Sequence, residues 1–258
     1  MSEERTGIRY AIEQGLAACT GTDLAGAATR FFGILGYGST RSLRLQPANA
    51  AAFRTQFDPQ NRLDPAKALT DEWRSVQMLF QLTDEDVDNS GQLRLSFDSS
   101  TQVDNAIYES YLFFAIDLGG DSYTRTQLAV ATRELNRLFP MPALLLFRHG
   151  GRLSFSVIDR RLHKRDSSRD VLEKVTLIKD IDCASPHRAH IEILHDLSLA
   201  ELHRLHGVNN FVELHRAWRT VLSSSELNKR FFKEIANWYF WAVQNVTFPE
   251  GAGEDVEV

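Results

Sequence analysis

The amino-terminal quarter of the chain has the pattern of helices. Asp23 precedes an alanine-rich apolar run at residues 25–32 and is placed to cap it, and Gly36 is typical of a helix end. Residues 47–57 are predicted to form a second helix, because proline suits a first helical turn and alanines favour helix. The two Asp-Pro pairs that follow, at 58–59 and 64–65, mark a predicted loop.

The middle of the chain changes to the pattern of strands. Alternating or continuous apolar runs predict strands at residues 75–82, 92–97, 111–118, 143–148, 153–158 and 171–181. Glycines at 150 and 151 join two of these into a hairpin. Between the strands, Thr124 and Gln127 have capping-box spacing for a helix that carries Leu128, Ala131, Leu135 and Leu138 on one face.

The carboxy-terminal part returns to helices. Three pairs with helix-start spacing occur in succession: Ser198 with Glu201, Asn210 with Glu213, and Ser223 with Glu226. Gly207 is predicted to end the first of these helices.

These patterns predict an α/β fold with a mixed sheet flanked by helices and a helical carboxy-terminal segment. The predicted divisions are a helical segment at 1–70, a mixed α/β domain at 71–182, a helical segment at 183–248 and an acidic tail at 249–258. The order of elements in the middle also resembles a degenerate core of the PD-(D/E)XK nuclease type, although many mixed domains share that order.

Composition narrows the class of protein further. Apolar residues make up 43% of the chain and charged residues 24%, as in globular proteins, and no apolar run reaches the roughly 18 residues of a membrane span. The two cysteines form no disulfide framework, and the acidic start lacks the apolar region of a secretory signal. We therefore expect a cytoplasmic protein without a membrane partner.

Charge is distributed unevenly along the chain. The net charge is -5, yet residues 148–174 hold eight Lys or Arg against four acids. Such a segment is typical of contacts with the phosphates of double-stranded DNA, and a solvated loop is the alternative. The candidate DNA-binding residues are Arg148, Arg152, Arg160, Arg161, Lys164, Arg165 and Arg169.

The last predicted helix carries more apolar side chains than one buried face needs. Leu227, Phe231, Ile235, Trp238 and Ala242 follow one stripe, and aromatic residues cover much of the rest. We expect part of this surface to dock another domain through Phe232, Trp238, Phe240 and Trp241. The alternative is that the surrounding helices bury it.

Four motifs in the second half carry a resemblance to a known family. They are DRRLHKRD at 159–166, VLEKVTLIKD at 171–180, SPHRAH at 185–190 and LNKRFFKEIANWY at 227–239. This run resembles the region upstream of the methyltransferase core in type IIG-like fused restriction–modification enzymes, the adenine-specific DNA methyltransferase family. The resemblance spans residues 70–250 and is most specific over 147–248. It implies DNA modification and restriction in defence, with S-adenosylmethionine bound by a catalytic core outside these residues.

The motifs of that chemistry are missing from the chain itself. No Pro-Pro pair is present for the base-gripping loop of an adenine methyltransferase, and no lysine follows an acidic residue at the two-residue spacing of the nuclease motif. The histidines match no zinc-finger spacing, so we expect no metal site, and the chain has no hydrolase elbow motif. We expect no catalytic residue and no cofactor in this chain.

The expected function is therefore that of a non-catalytic amino-terminal region that binds the DNA backbone and docks a methyltransferase core in cis or in trans. Two alternatives stay open. One is a stand-alone DNA-binding or assembly module, and the other is a metal-dependent nuclease domain whose lysine has moved.

Overall fold

The computed structural model describes residues 2–88, 103–104, 106–107, 109–161, 171–222 and 224–246. In chain order, the elements before the sheet are helices α1 (Ser2–Ala18), α2 (Leu24–Ile34), α3 (Ala50–Phe57) and α4 (Pro65–Ala68). The next are β1 (Trp73–Leu82), α5 (Asp84–Val87), β2 (Tyr111–Leu118), α6 (Arg125–Asn136), β3 (Ala143–His149), β4 (Arg152–Arg161) and β5 (Val171–Asp182). The chain continues through α7 (Arg188–Asp196), α8 (Leu199–His206), α9 (Phe211–Val221) and α10 (Ser224–Asn245).

The five strands form one mixed sheet in the order β1-β2-β3-β4-β5. Among the described strands, only the β2–β3 pair is parallel, and α6 makes the crossover between these two strands. The predicted α/β class, with a mixed sheet, flanking helices and a helical carboxy-terminal segment, is confirmed.

Both faces of the sheet are covered, as the continuous apolar run of β2 predicts. Leu112, Phe114 and Ile116 of β2 pack into a cluster with α3, α4 and α6. Phe113 and Ala115, which point the other way, pack into a cluster with α1, α2 and α7 to α9. The helices on that second face therefore come from both ends of the chain and share one core with the sheet.

Several caps lie where the sequence places them. Asp23 accepts a hydrogen bond from the Gly26 N–H at 2.9 Å, and Thr124 and Gln127 make both bonds of the capping box. Gly207 ends α8 in the left-handed conformation. These interactions are local, so sequence spacing is enough to predict them.

Three local predictions were wrong or incomplete. The helix expected from Pro47 begins at Ala50, because Asn49 accepts the bond of the Ala52 N–H and acts as the cap. The second Asp-Pro pair begins the short helix α4 rather than extending a loop, since Asp64 caps it. Ser198 precedes α8 but makes no side-chain capping bond. The expected strand at 92–97 and the cap Ser223 lie outside the described residues.

Candidate functional site

The last helix, α10, turns polar side chains towards the rest of the protein. It is 22 residues long and contacts α7 and α9. Lys233, Glu234 and Asn237 lie within one turn of each other and line a cleft of about 410 Å³. The other wall of this cleft is formed by Arg9, Arg188, Ala189, Glu192 and Asp196 of α1 and α7.

The apolar face of α10 points away from the body. On a helix of 3.6 residues per turn, Phe231, Ile235 and Trp238 lie on the side opposite Lys233 and Asn237. Exposed fractions in this apolar row run from 45% for Ile235 to 66% for Trp238. The adjacent row is exposed as well, and it consists of Phe232, Tyr239, Val243 and Val246.

The carboxy-terminal half of α10 is apolar on nearly every side. Phe240 and Trp241 come three and four residues after Asn237, so they lie on the same side of the helix as Asn237. On this side, the polar residues of the preceding turns are therefore followed by aromatic ones. They are 62% and 58% exposed. The four predicted docking residues, Phe232, Trp238, Phe240 and Trp241, are therefore all exposed. We call the exposed apolar side chains from Phe231 to Val246, on α10 and the residue after it, the apolar helix surface.

This orientation is the reverse of an ordinary surface helix, which buries its apolar stripe and exposes its polar one. Burial of apolar surface contributes about 25 cal/mol of stabilisation per Å² removed from water, and the exposed side chains of α10 lack this contribution. Large exposed apolar patches are typical of sites where another protein or domain binds. The apolar helix surface is therefore the strongest candidate functional site in the described part of the chain.

The seven candidate DNA-binding residues do not form one patch. Arg148 and Arg152 flank the β3–β4 turn, whereas Arg160 and Arg161 end β4. Eight residues of strand separate the two ends by roughly 26 Å. Arg152 is exposed, and the side chains of Arg160 and Arg161 lie outside the described part of the structure. The remaining three, Lys164, Arg165 and Arg169, also lie outside the described residues.

Arg148 has internal partners. Its guanidinium donates two hydrogen bonds to Asp117, at 2.8 and 2.6 Å, and it also donates to the backbone carbonyls of Cys19 and Gly21. The bond to Asp117 raises the pKa of Arg148. Because the pair is largely buried, we assign Arg148 to the fold and not to DNA contact.

The same pair decides the role of Asp117, an acidic residue near the end of β2. Its carboxylate is paired with Arg148, its register partner on β3. A metal-binding nuclease needs two or three acidic ligands and a nearby lysine. Asp117 is instead neutralised by an arginine.

A buried histidine at the end of β3 contacts a serine and an aspartate but does not form a hydrolase triad. The Nε2 atom of His149 lies 3.1 Å from Ser154 Oγ and 3.6 Å from Asp180 Oδ1. A triad needs the carboxylate on the other ring nitrogen. Ser154 is fully buried, and burial lowers the pKa of His149. The arrangement stabilises the strand end and offers no accessible nucleophile.

Comparison with family models, curated proteins and solved structures finds no match to this chain. The family resemblance of the second half therefore stays a prediction from the sequence motifs. Within the described residues, no helix combines the length and apolar character needed to cross a lipid bilayer.

Proposed function

We propose that this chain is a non-catalytic assembly module that docks a catalytic core through the apolar helix surface. The observation that carries the proposal is the outward orientation of the apolar face of α10, with Trp238 66% exposed. Aromatic side chains supply much of the binding energy at protein interfaces, which is why they are enriched there. A helix presenting several of them is a suitable docking element.

The family resemblance suggests which core is docked. In type IIG-like enzymes the corresponding region precedes an adenine-specific methyltransferase core, so we propose such a core as the partner, in cis or in trans. S-adenosylmethionine would bind that core. The competing proposal is that a second copy of the chain covers the apolar helix surface, and sedimentation velocity of the chain with and without the core separates the two.

We further propose that this module holds the DNA backbone near the core. Arg160 and Arg161 end β4 on the side remote from the β3–β4 turn, and Lys164 and Arg165 follow them in the sequence, so this stretch of the sequence carries four positive charges. Such contacts give affinity without reading sequence. The nuclease alternative loses support, because Asp117 is paired with Arg148.

The proposal predicts that the chain alone is inactive. The pure protein is incubated with mixed-sequence DNA, Mg²⁺ and labelled S-adenosylmethionine, and methyl incorporation and DNA fragments are measured. We expect neither, because the sequence lacks the Pro-Pro loop and has no acidic residue two positions before a lysine. Methylated DNA or defined fragments from the chain alone would overturn the non-catalytic assignment.

A further inference from the structure

A second and larger cleft lies beside β1, the strand at one edge of the sheet. Its residues come from α2 and the turn before it, from the part of β1 between 75 and 80, and from the stretch at 37–48, which we call the linking segment. The volume of this α2–β1 cleft is about 910 Å³, within the range of small-molecule sites. The described residues that line it lie outside α10 and outside the basic segment at 148–174, so it is separate from the docking and DNA-binding surfaces proposed above.

The linking segment alternates between core and cleft. Leu43 and Leu45 pack into the cluster that α3 and α6 share with the sheet. The residues that alternate with them, Ser42, Arg44 and Gln46, are exposed and line the α2–β1 cleft. The apolar side chains of the segment therefore fix it to the body, while its polar side chains are left for the cleft.

Both sides of the cleft are held by the rest of the fold. The Gln81 N–H donates to the Arg41 carbonyl at 2.8 Å. The Val76 N–H donates to the Ala48 carbonyl at 3.2 Å, so the linking segment is bonded to β1 near both of its ends. On the other side, α2 is anchored by Phe31, which is fully buried in the core. The shape of the cleft is therefore set before any ligand binds.

Two arginines from different elements line the α2–β1 cleft. Arg30 belongs to α2 and Arg44 to the linking segment, and both are exposed. Within the described part of the chain, neither side chain has a hydrogen bond or an ion pair. By contrast, Arg9 on α1 is paired with Glu192 at 2.8 Å. An anion in the cleft would be attracted by two guanidinium groups that have no partner in the protein.

The other polar groups of the cleft also favour an anion, although the whole chain carries a net charge of -5. Among the described lining residues Asp23 is the one acid, and its carboxylate already accepts the Gly26 N–H at the start of α2. The hydroxyl groups of Thr22, Thr40 and Ser42 line the cleft, and none of them bonds another group in the described part of the structure. Arginine and hydroxyl donors together suit an anion with several oxygen atoms.

We propose that the α2–β1 cleft binds a small phosphorylated molecule, whose phosphate oxygens accept hydrogen bonds from Arg30, Arg44 and the hydroxyl groups beside them. A guanidinium group can donate two parallel hydrogen bonds to one phosphate. A phosphate group carries more negative charge and more acceptor oxygens than a carboxylate, so it matches two arginines and several hydroxyl donors better.

A nucleic-acid strand fits the same cleft less well. Proteins that hold single strands stack the bases on exposed aromatic side chains. The aromatic residues among the described lining, Tyr37 and Phe80, are 2% and 1% exposed, so they offer no ring for a base. The remaining competing explanation is a groove filled by solvent, because exposed arginines are common on protein surfaces.

The test is a titration of the full chain with inorganic pyrophosphate at constant ionic strength, followed by the backbone amide signals in NMR. We expect saturable shifts in α2 and the linking segment. Arg30→Gln and Arg44→Gln should each weaken binding by roughly tenfold or more, because each removes hydrogen bonds between charged groups. Both positions are exposed, and thermal melting checks that the variants are folded. Arg62→Gln, an exposed arginine outside the cleft, is the matched control and should bind as the wild type does.

Two further titrations identify the chemistry of the ligand. Malonate, a dicarboxylate, should bind more weakly than pyrophosphate, and a short single-stranded oligonucleotide should not displace pyrophosphate at the same concentration of phosphate groups. Binding that does not saturate, or that Arg62→Gln weakens as much as Arg30→Gln does, would assign the cleft to solvent. Tighter binding of malonate would make it a carboxylate site, and displacement by the oligonucleotide would make it a nucleic-acid surface. Each of these results would overturn the proposal.

Discussion

Arg148 joins three separate parts of the chain. It pairs with Asp117, 31 residues away on the neighbouring strand, and it donates to carbonyls of the turn between α1 and α2. In sequence it is one arginine of a basic segment. Its partner is set by the parallel register of β2 and β3, which no local pattern reveals. Prediction from the sequence therefore placed it on the DNA-binding surface.

Substitution of Arg148 should destabilise the fold. Arg148→Ala leaves the largely buried Asp117 carboxylate unpaired, which typically costs about 3–5 kcal/mol. The measurement is urea unfolding followed by circular dichroism. The matched control is Arg152→Ala, an exposed arginine four residues later, for which we expect a change within about 0.5 kcal/mol. Equal stability of the two variants would return Arg148 to the group of DNA-binding candidates.

His195, Asp196 and Glu201 show a second limit at the residue scale, because their ring nitrogen and carboxylate oxygen atoms lie within 4.8 Å of one another in the structure. In the sequence these three residues have no spacing that predicts such a cluster. They meet because the chain turns at Leu197 and Ser198, so their spacing fits no single helix or strand period. The only local signal for this cluster in the sequence is the pair of acidic residues, Asp196 and Glu201, on either side of the predicted helix start at Ser198.

At the scale of elements, local signals were largely sufficient. The spacing of Asp23, of Thr124 with Gln127 and of Asn210 with Glu213 predicted three helix starts, because caps bond residues three apart in sequence. Ser198 with Glu201 has the same spacing, yet Glu201 bonds Arg204. A local rule therefore fails where another side chain competes for one of its members.

The sequence predicted the apolar composition of α10 but not which side of the helix faces the rest of the protein. The sequence predicts a helix with apolar side chains on more than one side. Which side meets the body depends on the polar cleft formed with Arg9, Arg188 and Glu192, residues from distant segments. Tertiary contacts therefore decided which residues of the helix stay exposed.

Two tryptophans test this orientation directly. Trp218 is buried, donates to the Tyr37 hydroxyl at 2.9 Å and stacks on Tyr111, so Trp218→Ala should cost about 3–5 kcal/mol. Trp238→Ala should change the free energy of unfolding by no more than about 0.5 kcal/mol, because its ring is exposed. Urea unfolding at low protein concentration provides both values. A large loss for Trp238→Ala would mean that α10 packs its apolar face inward.

At the scale of the whole molecule, the sequence predicted the class of the fold but not its layers. Helices of the amino-terminal and carboxy-terminal segments cover the same face of the sheet and share one cluster. Sequence divisions at residues 70 and 182 therefore separate stretches of chain that pack together in space. Local periodicity shows which face of a helix is apolar but not which distant helix packs against it. The sequence therefore could not predict that these helices share one face of the sheet.

The basic segment should bind duplex DNA weakly and without sequence preference. The variant with Arg160, Arg161, Lys164 and Arg165 changed to Ala should bind DNA more weakly. Its affinity should also depend less on salt, because each phosphate contact adds about 0.9 to the slope of the logarithm of the binding constant against the logarithm of the salt concentration. Fluorescence anisotropy at several salt concentrations measures both. Arg62→Ala, at an exposed position outside the segment, is the control. If this variant bound DNA as tightly as the wild type does, the basic segment would be assigned to a solvated loop without a role in DNA binding.

The most direct test of the account is sedimentation velocity of the chain mixed with an adenine methyltransferase core encoded in the same reading frame or an adjoining gene. We predict a one-to-one complex that is lost when Phe232, Trp238, Phe240 and Trp241 are changed to Ala, since these exposed rings form the proposed interface. The variant should unfold at the same urea concentration as the wild type. The account would be contradicted if no such core were encoded or bound, if the fourfold variant bound it equally well, or if the chain alone buried α10 in a stable dimer.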